Sequence, residues 1–231
     1  MFWEEDEKIN EKVPDSILDL LFEIRGREIP VDHAYALSTA ITSIAPEILE
    51  DGRFGVHTIH VAGSQNGWER PDFNTENRLI ISRRTKFTLR VPREHASAAE
   101  EKLSGAQLDL GGCQITLGKA KERPLSKQGT IFSRYVQSDP DESEMNFLQR
   151  IANELKQHDI RIKKAMCGKN VSVYTPDGPI ESRSLMLADL LTEETLKLQE
   201  VGLGPGRHMG FGIFIPHKGI EAVNKGEEEE K

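Results

Sequence analysis

The chain predicts an α+β fold of two tandem ferredoxin-like (RRM-like) halves, closed by a C-terminal glycine-rich loop. Three observations carry this. The order strand, helix, strands, helix, strand is written twice along the sequence. The 231 residues leave room for two cores of about a hundred residues each. Apolar residues, 37% of the total, come in short runs bounded by turn residues, with no stretch long enough to span a membrane.

Ile17 to Ile24 (ILDLLFEI) is an apolar-rich run stopped at Arg25-Gly26-Arg27 and reads as a strand. Pro30 and Asp32 announce a helix with Asp32 as N-cap. Leu37, Ala40, Ile41, Ile44 and Ile48 recur at helical spacing until Asp51-Gly52. Val56 to Val61 is a strand candidate, followed by the polar loop GSQNGWERPDFN. Leu79 to Val91 alternates as a strand or hairpin arm, a short helix covers HASAAEEKLSG, and Gln107 to Leu117 forms a hairpin turning at Gly111-Gly112.

In the second half, Thr130 to Gln137 is a strand, and Ser138-Asp139-Pro140 caps a helix with Met145, Leu148, Ile151, Ala152 and Leu155 on one face. Short strands are expected at Ile160 to Ala165, Val171 to Tyr174 and Ser182 to Leu187, with Asp177-Gly178 as a turn. Thr192 caps a helix through Gln199, and Gly210 to Ile215 is the last strand. The expected divisions are an acidic tail (1–12), a first half (13–123), a second half carrying the glycine loop (124–220) and an acidic tail (221–231), with the join near Lys121 to Lys127.

The net charge of -8 is unevenly placed. Met1–Lys12 and Glu221–Lys231 each hold five acids against two bases, so most of the negative excess sits at the ends. Inside, bases cluster in Asn77–Arg93, Lys119–Arg134 and Arg161–Lys169. A phosphate backbone answers to local potential more than to the whole-chain sum, so a polyanionic partner stays open beside the plainer reading of solvated strand faces. Cys113 and Cys167 are too few and too isolated for a disulfide framework or a thiolate zinc site. With an acidic N-terminus unlike a signal peptide, this points to a reducing cytoplasmic setting.

Three segments can carry chemistry. In IPVDHAYALSTAI, His33 follows Asp32 at the start of the first helix. Free N–H groups and the positive dipole end there attract phosphate and favour a neutral imidazole. His33 also shares a stripe with Leu37 and Ile41, so it can equally close the core edge. In GVHTIHVAG, His57 and His60 differ by an odd number of positions and face opposite sides of a regular strand, which argues against a metal pair. His57 is the better candidate of the two, against the alternative of a half-exposed strand histidine. In VGLGPGRHMGFGIFIP, Gly204, Gly206, Arg207 and His208 fall in a glycine-dense loop able to cradle phosphate, although no dinucleotide fingerprint or P-loop is present. There is no GxSxG elbow and no HExxH.

The tandem halves, LLFEIRGREIPVDHAYALSTAI, GVHTIHVAG, NRLIISRRTKFTLRVP and the glycine loop resemble the CRISPR repeat-RNA-processing endoribonucleases, the sixth Cas family, in the branch named after Myxococcus. The resemblance runs from about Ser16 to Lys218. It implies a metal-independent, cofactor-free endoribonuclease that binds a stem-loop repeat of precursor CRISPR RNA. Attack of the RNA 2′-hydroxyl would leave a cyclic phosphate and a 5′-hydroxyl. It maps the acid–base role onto His33 as base and His57 as acid, exchangeably, with Tyr35 in reserve and Arg83 or Arg84 stabilising charge at phosphorus. RNA contacts would come from Arg78, Arg83, Arg84, Lys86, Lys163, Lys164 and the Gly204–His208 loop, with other CRISPR effector subunits as further partners and no membrane. The competing readings are a non-catalytic RNA-binding subunit of an effector complex and a ferredoxin-like module unrelated to RNA.

Overall fold

Alternation along Ile17–Gly26 (β1) sets the architecture of the first half. Leu18, Leu20, Phe22 and Ile24 are buried on one face, and Asp19, Leu21 and Glu23 stand on the other. A computed structural model describes residues 16–61 and 72–217, so the acidic tails and most of the GSQNGWERPDFN loop lie outside the described residues.

β1 is the centre of a five-stranded antiparallel sheet. Lys86–Pro92 (β5) lies on one side with Gly55–Val56 (β3) beyond it, and Cys113–Pro124 (β7) lies on the other with Gln107–Leu110 (β6) beyond. Ala34–Ile44 (α1) and Arg93–Leu103 (α3) cover its inner face, setting Leu37, Ile41, Ala99 and Leu103 against Phe22, Phe87 and Leu89. The β6–β7 turn has φ of +63° at Gly111 and +84° at Gly112, the mirror-image turn that two glycines permit.

The second sheet has the order β11-β8-β10-β9, built from Ile131–Gln137 (β8), Lys164–Thr175 (β9), Gly178–Ala188 (β10) and Ile215–Pro216 (β11). Glu144–Gln157 (α4) and Thr192–Val201 (α5) supply its helices. Phe147, Ile151 and Leu155 of α4 are fully buried with Leu185 and Leu187, each worth about 1.5–3 kcal/mol of burial. Both halves therefore take the ferredoxin-like strand order.

Several element boundaries differ from the sequence expectation, each for a local reason. The first helix stops at Ile44, because Pro46 disfavours helical geometry before it; Ile48 belongs to a separate turn, Glu47–Glu50 (α2). The N-cap position of α1 is His33, one residue beyond the expected Asp32, whose carboxylate accepts the Tyr174 N–H at 2.8 Å. Leu79–Val91 divides into Arg78–Ile80 (β4), which pairs with Glu28–Pro30 (β2) in a sheet of two, and β5. Ser143, not Ser138-Asp139-Pro140, caps α4, its hydroxyl accepting the Asn146 N–H. Of the first short strand expected before Asp177, residues 160–163 lie outside any strand, while Lys164 and Ala165 belong with the second to one strand, β9, held by β10.

Buried arginines join the halves. The Arg90 guanidinium is 0% exposed and donates to the carbonyls of Gln199 and Phe214 at 2.9 and 3.0 Å. Arg207 donates in the other direction, to the Phe54 and Arg53 carbonyls at 3.2 and 3.3 Å. Glycines let the segment that carries Arg207 fold back on itself. At Gly212 (φ +62°) an added Cβ would overlap the Leu203 carbonyl, whereas at Gly204 (φ +66°) it would meet nothing. Gly212→Ala should therefore cost roughly 2–4 kcal/mol, and Gly204→Ala only the left-handed strain of about 1–2 kcal/mol. Thermal melts of the two variants check this, and equal shifts would contradict it.

Candidate functional site

The outer face of the first sheet carries charge where a core would carry leucines. Asp19 on β1 faces Arg90 on β5 and Arg123 on β7. Its Oδ1 accepts Arg90 Nε at 2.8 Å, and its Oδ2 accepts Arg90 Nη2 at 3.3 Å and Arg123 Nη2 at 3.0 Å. His57 Nε2 stands 3.7 Å from the same carboxylate, beyond hydrogen-bond length. Burial would raise the Asp19 carboxyl, but Arg90 and then His57 hold it well below the usual carboxylate range. Burial pushes the His57 imidazole down, against the pull of Asp19, which favours the neutral ring.

Beside this cluster the halves leave a cleft of about 210 Å³. Lys86 and Thr88 of β5, Arg123 of β7 and Arg134 of β8 line it together with His57, Thr58 and His60; Gly210, Ile213, Ile215 and Pro216 complete the wall. No carboxylate is part of that wall. Lys86 also borders a groove on the open face of the first sheet, where Arg25, Lys119 and Lys121 stand with Glu23. The groove extends the basic character of the cleft along β1 and β7.

The structure brings some of the expected site residues together and separates others. His57 and Lys86 line the cleft. His60 lines it too, against the expectation from alternation, because β3 ends at Val56 and residues 57–61 run on outside any regular strand. His33 does not line it. Its ring is 4% exposed, Nδ1 lies 2.9 Å from the Pro30 carbonyl, and Nε2 accepts the Ile59 N–H at 2.9 Å. These partners place the ring proton on Nδ1 and leave Nε2 bonded to the backbone. The expected ring open to a groove is instead a strut between the start of α1 and the segment carrying His57 and His60. Tyr35, two residues on, is exposed at the surface of α1.

The basic residues divide likewise. Arg78 donates to the carbonyls of Thr75 and Glu76 and braces its own loop. Arg83 and Arg84 stand exposed on the turn between β4 and β5. Lys163 and Lys164 are exposed where β9 begins, with Lys164 Nζ 2.9 Å from Asp189. The expected phosphate cradle is built differently. The Gly204 N–H donates to the Glu154 carboxylate at 2.7 Å, an acceptor that would repel phosphate, and Gly206 takes a left-handed conformation packed on Phe211. Arg207 is 7% exposed and spent on first-half carbonyls; burial and then the charge of Arg90 lower its pKa to about 10. His208 is half-buried, and that burial lowers its pKa. The glycines here let the loop pack closely on itself, and Gly210 alone of them lies against the first half, at Val56 and Thr58.

Sequence reasoning held Arg90, Arg123 and Arg134 only as members of the basic clusters, and missed Thr88 and the Asp19–Arg90 pair. One signal was available: a lone aspartate inside ILDLLFEI and an arginine inside FTLRV are charges that buried strands hold only in pairs. Among the described residues no group of three or more His, Cys, Asp or Glu could hold a metal ion, and no helix is long and apolar enough to cross a membrane.

Comparison with known proteins adds the lineage. The family model described as Cas6 Crispr matches residues 18–219. The CRISPR-associated endonuclease Cas6 of Myxococcus xanthus (strain DK1622) is 30% identical over 199 residues, covering 86% of this chain and 81% of that protein. A solved CRISPR associated protein Cas6 superposes with a TM-score of 0.60 at 15% identity, over 88% of this chain and 99% of the other. A structure titled "An RAMP protein binding different RNA substrates" gives 0.59 at 14% identity, over 88% and 100%. At such identities these two likenesses concern the fold, whereas the family match spans nearly all of the described chain. The chain belongs to the Cas6 family of CRISPR proteins.

Proposed function

We propose that the protein is an endoribonuclease that holds the repeat of precursor CRISPR RNA across the basic cleft and cuts it without a metal, releasing guide RNAs. The observation that carries this reading is a wall of three cations and two histidines with no carboxylate, in a chain related to an endonuclease. Lys86, Arg123 and Arg134 attract the RNA backbone and neutralise charge developing at phosphorus. His57 is the base. The Asp19 carboxylate beside Nε2 favours the tautomer protonated there, leaving Nδ1 to take the proton of the 2′-hydroxyl. The 2′-oxygen bonds to phosphorus, the bond to the 5′-oxygen breaks, and His60 returns a proton to that leaving oxygen. The products are a 2′,3′-cyclic phosphate and a 5′-hydroxyl. His33 acts as a positioning residue, fixing the 57–60 segment through the Ile59 N–H.

The test is incubation of repeat RNA with the protein in excess EDTA, followed by analysis of the product ends. Cyclic phosphate and 5′-hydroxyl termini are expected; cutting that needs a divalent ion, or that leaves a 3′-hydroxyl, would overturn the mechanism. Tight binding with no cutting under any condition would transfer the chain to the non-catalytic, RNA-binding reading. Binding should weaken with salt, and Lys86→Ala and Arg134→Ala should each reduce the slope of log affinity against log salt by about one. A slope unchanged in both variants would place the phosphates elsewhere.

A further inference from the structure

We propose that the open face of the second sheet is a stacking platform for unpaired RNA bases, centred on Phe132. The inference rests on the RNA-binding reading above and assigns the single-stranded part of the substrate. Cross-strand register sets Ile215 of β11 opposite Phe132 of β8, Phe132 opposite Met186 of β10, and Met186 opposite Met166 of β9. One apolar row thus crosses all four strands. It lies away from the core, because the neighbours Ile131, Leu185 and Leu187 are the buried residues of that core. Met166 is 56% exposed, and Phe132 and Met186 are half-buried. The ring of His217 stands 5.8 Å from that of Phe132.

An apolar row on a sheet invites an aromatic or aliphatic partner, and its surroundings decide which. Ile215 belongs both to the row and to the wall of the basic cleft, and so does the strand of Phe132, whose Arg134 lines that cleft. The platform is therefore continuous with the proposed RNA path. At the opposite end of the row Lys164, two residues before Met166 on β9, is paired with Asp189 at 2.9 Å. A cationic cleft at one end of an apolar strip matches a strand whose phosphates are held there and whose base faces lie along the strip. A paired A-form stem hides its base faces and presents phosphates and 2′-hydroxyls, so it gains little from such a strip. Unpaired nucleotides gain the stacking, and four-stranded sheets of this order in RNA-recognition modules place stacking aromatics on the two central strands. Here β8 and β10 are central, and with one aromatic in the row the capacity is one or two bases.

The test compares repeat RNA carrying an unpaired flank with the hairpin alone, using 2-aminopurine in the flank as a stacking reporter. Phe132→Ala should weaken binding of the flanked RNA by about tenfold, relieve the quenching of 2-aminopurine, and leave hairpin binding within about twofold. Phe132→Trp should retain both signals. Met166→Glu, at an exposed position, should weaken flanked RNA severalfold and spare the hairpin. Equal losses for both RNAs, or none for either, would overturn the platform while leaving the nuclease reading intact. Failure of the unmodified protein to bind any repeat RNA would remove that reading and the platform together.

Discussion

Asp19→Asn should lower the melting temperature by about 10 °C, the largest effect expected from one substitution. The carboxylate is 3% exposed and accepts from two arginines. Neutralising it leaves the fully buried Arg90 guanidinium uncompensated, a change that costs about 3–5 kcal/mol in a domain stabilised by roughly 5–15 kcal/mol. The pH dependence follows from the same group. Its folded pKa lies below the unfolded value, so its contribution is complete above about pH 4 and is lost as pH falls through the folded value. The variant should melt with a flatter acid limb than the native chain. Replacing both partners, Asp19→Leu with Arg90→Met, should recover only part of the loss, because the Gln199 and Phe214 carbonyls then lack their donor. Full recovery would mean that these bonds do not hold the halves together.

His57→Ala should slow single-turnover cleavage of repeat RNA by about 10²–10⁴-fold while changing Kd little. With His57 required neutral as base, its pKa pushed below the ordinary histidine value, and His60 required protonated as acid, the native rate should follow a bell, falling on acidification as His57 takes a proton and on alkalinisation as His60 loses its own. His33→Ala should behave in the opposite way. Removing the ring strands the Pro30 carbonyl and the Ile59 N–H, at about 1–3 kcal/mol for each group left buried. Its melting temperature should fall while the rate per folded molecule stays within about tenfold of the native value, as expected of a positioning role. If His33→Ala abolishes cutting in a protein that melts normally, the base is His33 and the roles exchange.

The contrast between the two histidines marks what the sequence could convey. Elements whose signal is local were legible. β1 is an apolar run with a clear stop, β8 reads as a strand, and Gly111-Gly112 names its own turn; α4 is legible from its stripe, although Met145 stands exposed and Phe147 takes the core place expected of it. Where pairing is decided by distant strands, local signals failed. Leu79–Val91 reads as one strand, but its two ends pair with different sheets. Alternation sets His57 and His60 on opposite faces only in a strand that continues, and β3 stops after two residues. The cleft draws Arg123 and Arg134 from opposite sides of the join between the halves, a juxtaposition visible only once the two sheets are packed. Glycine density at 202–212 marks close backbone approach with equal force whether the visitor is phosphate or protein. Here it is the chain itself: Leu203 against Gly212 and Phe211 against Gly206.

The most direct measurement is a structure of the protein bound to repeat RNA carrying a single 2′-deoxyribose at the cut site, which blocks attack and preserves the complex. The modified sugar is predicted between Lys86 and Arg134, with its 2′ position within hydrogen-bond reach of His57. Finding it at the Arg83–Arg84 turn, or beside Lys163 and away from His57, would contradict the account.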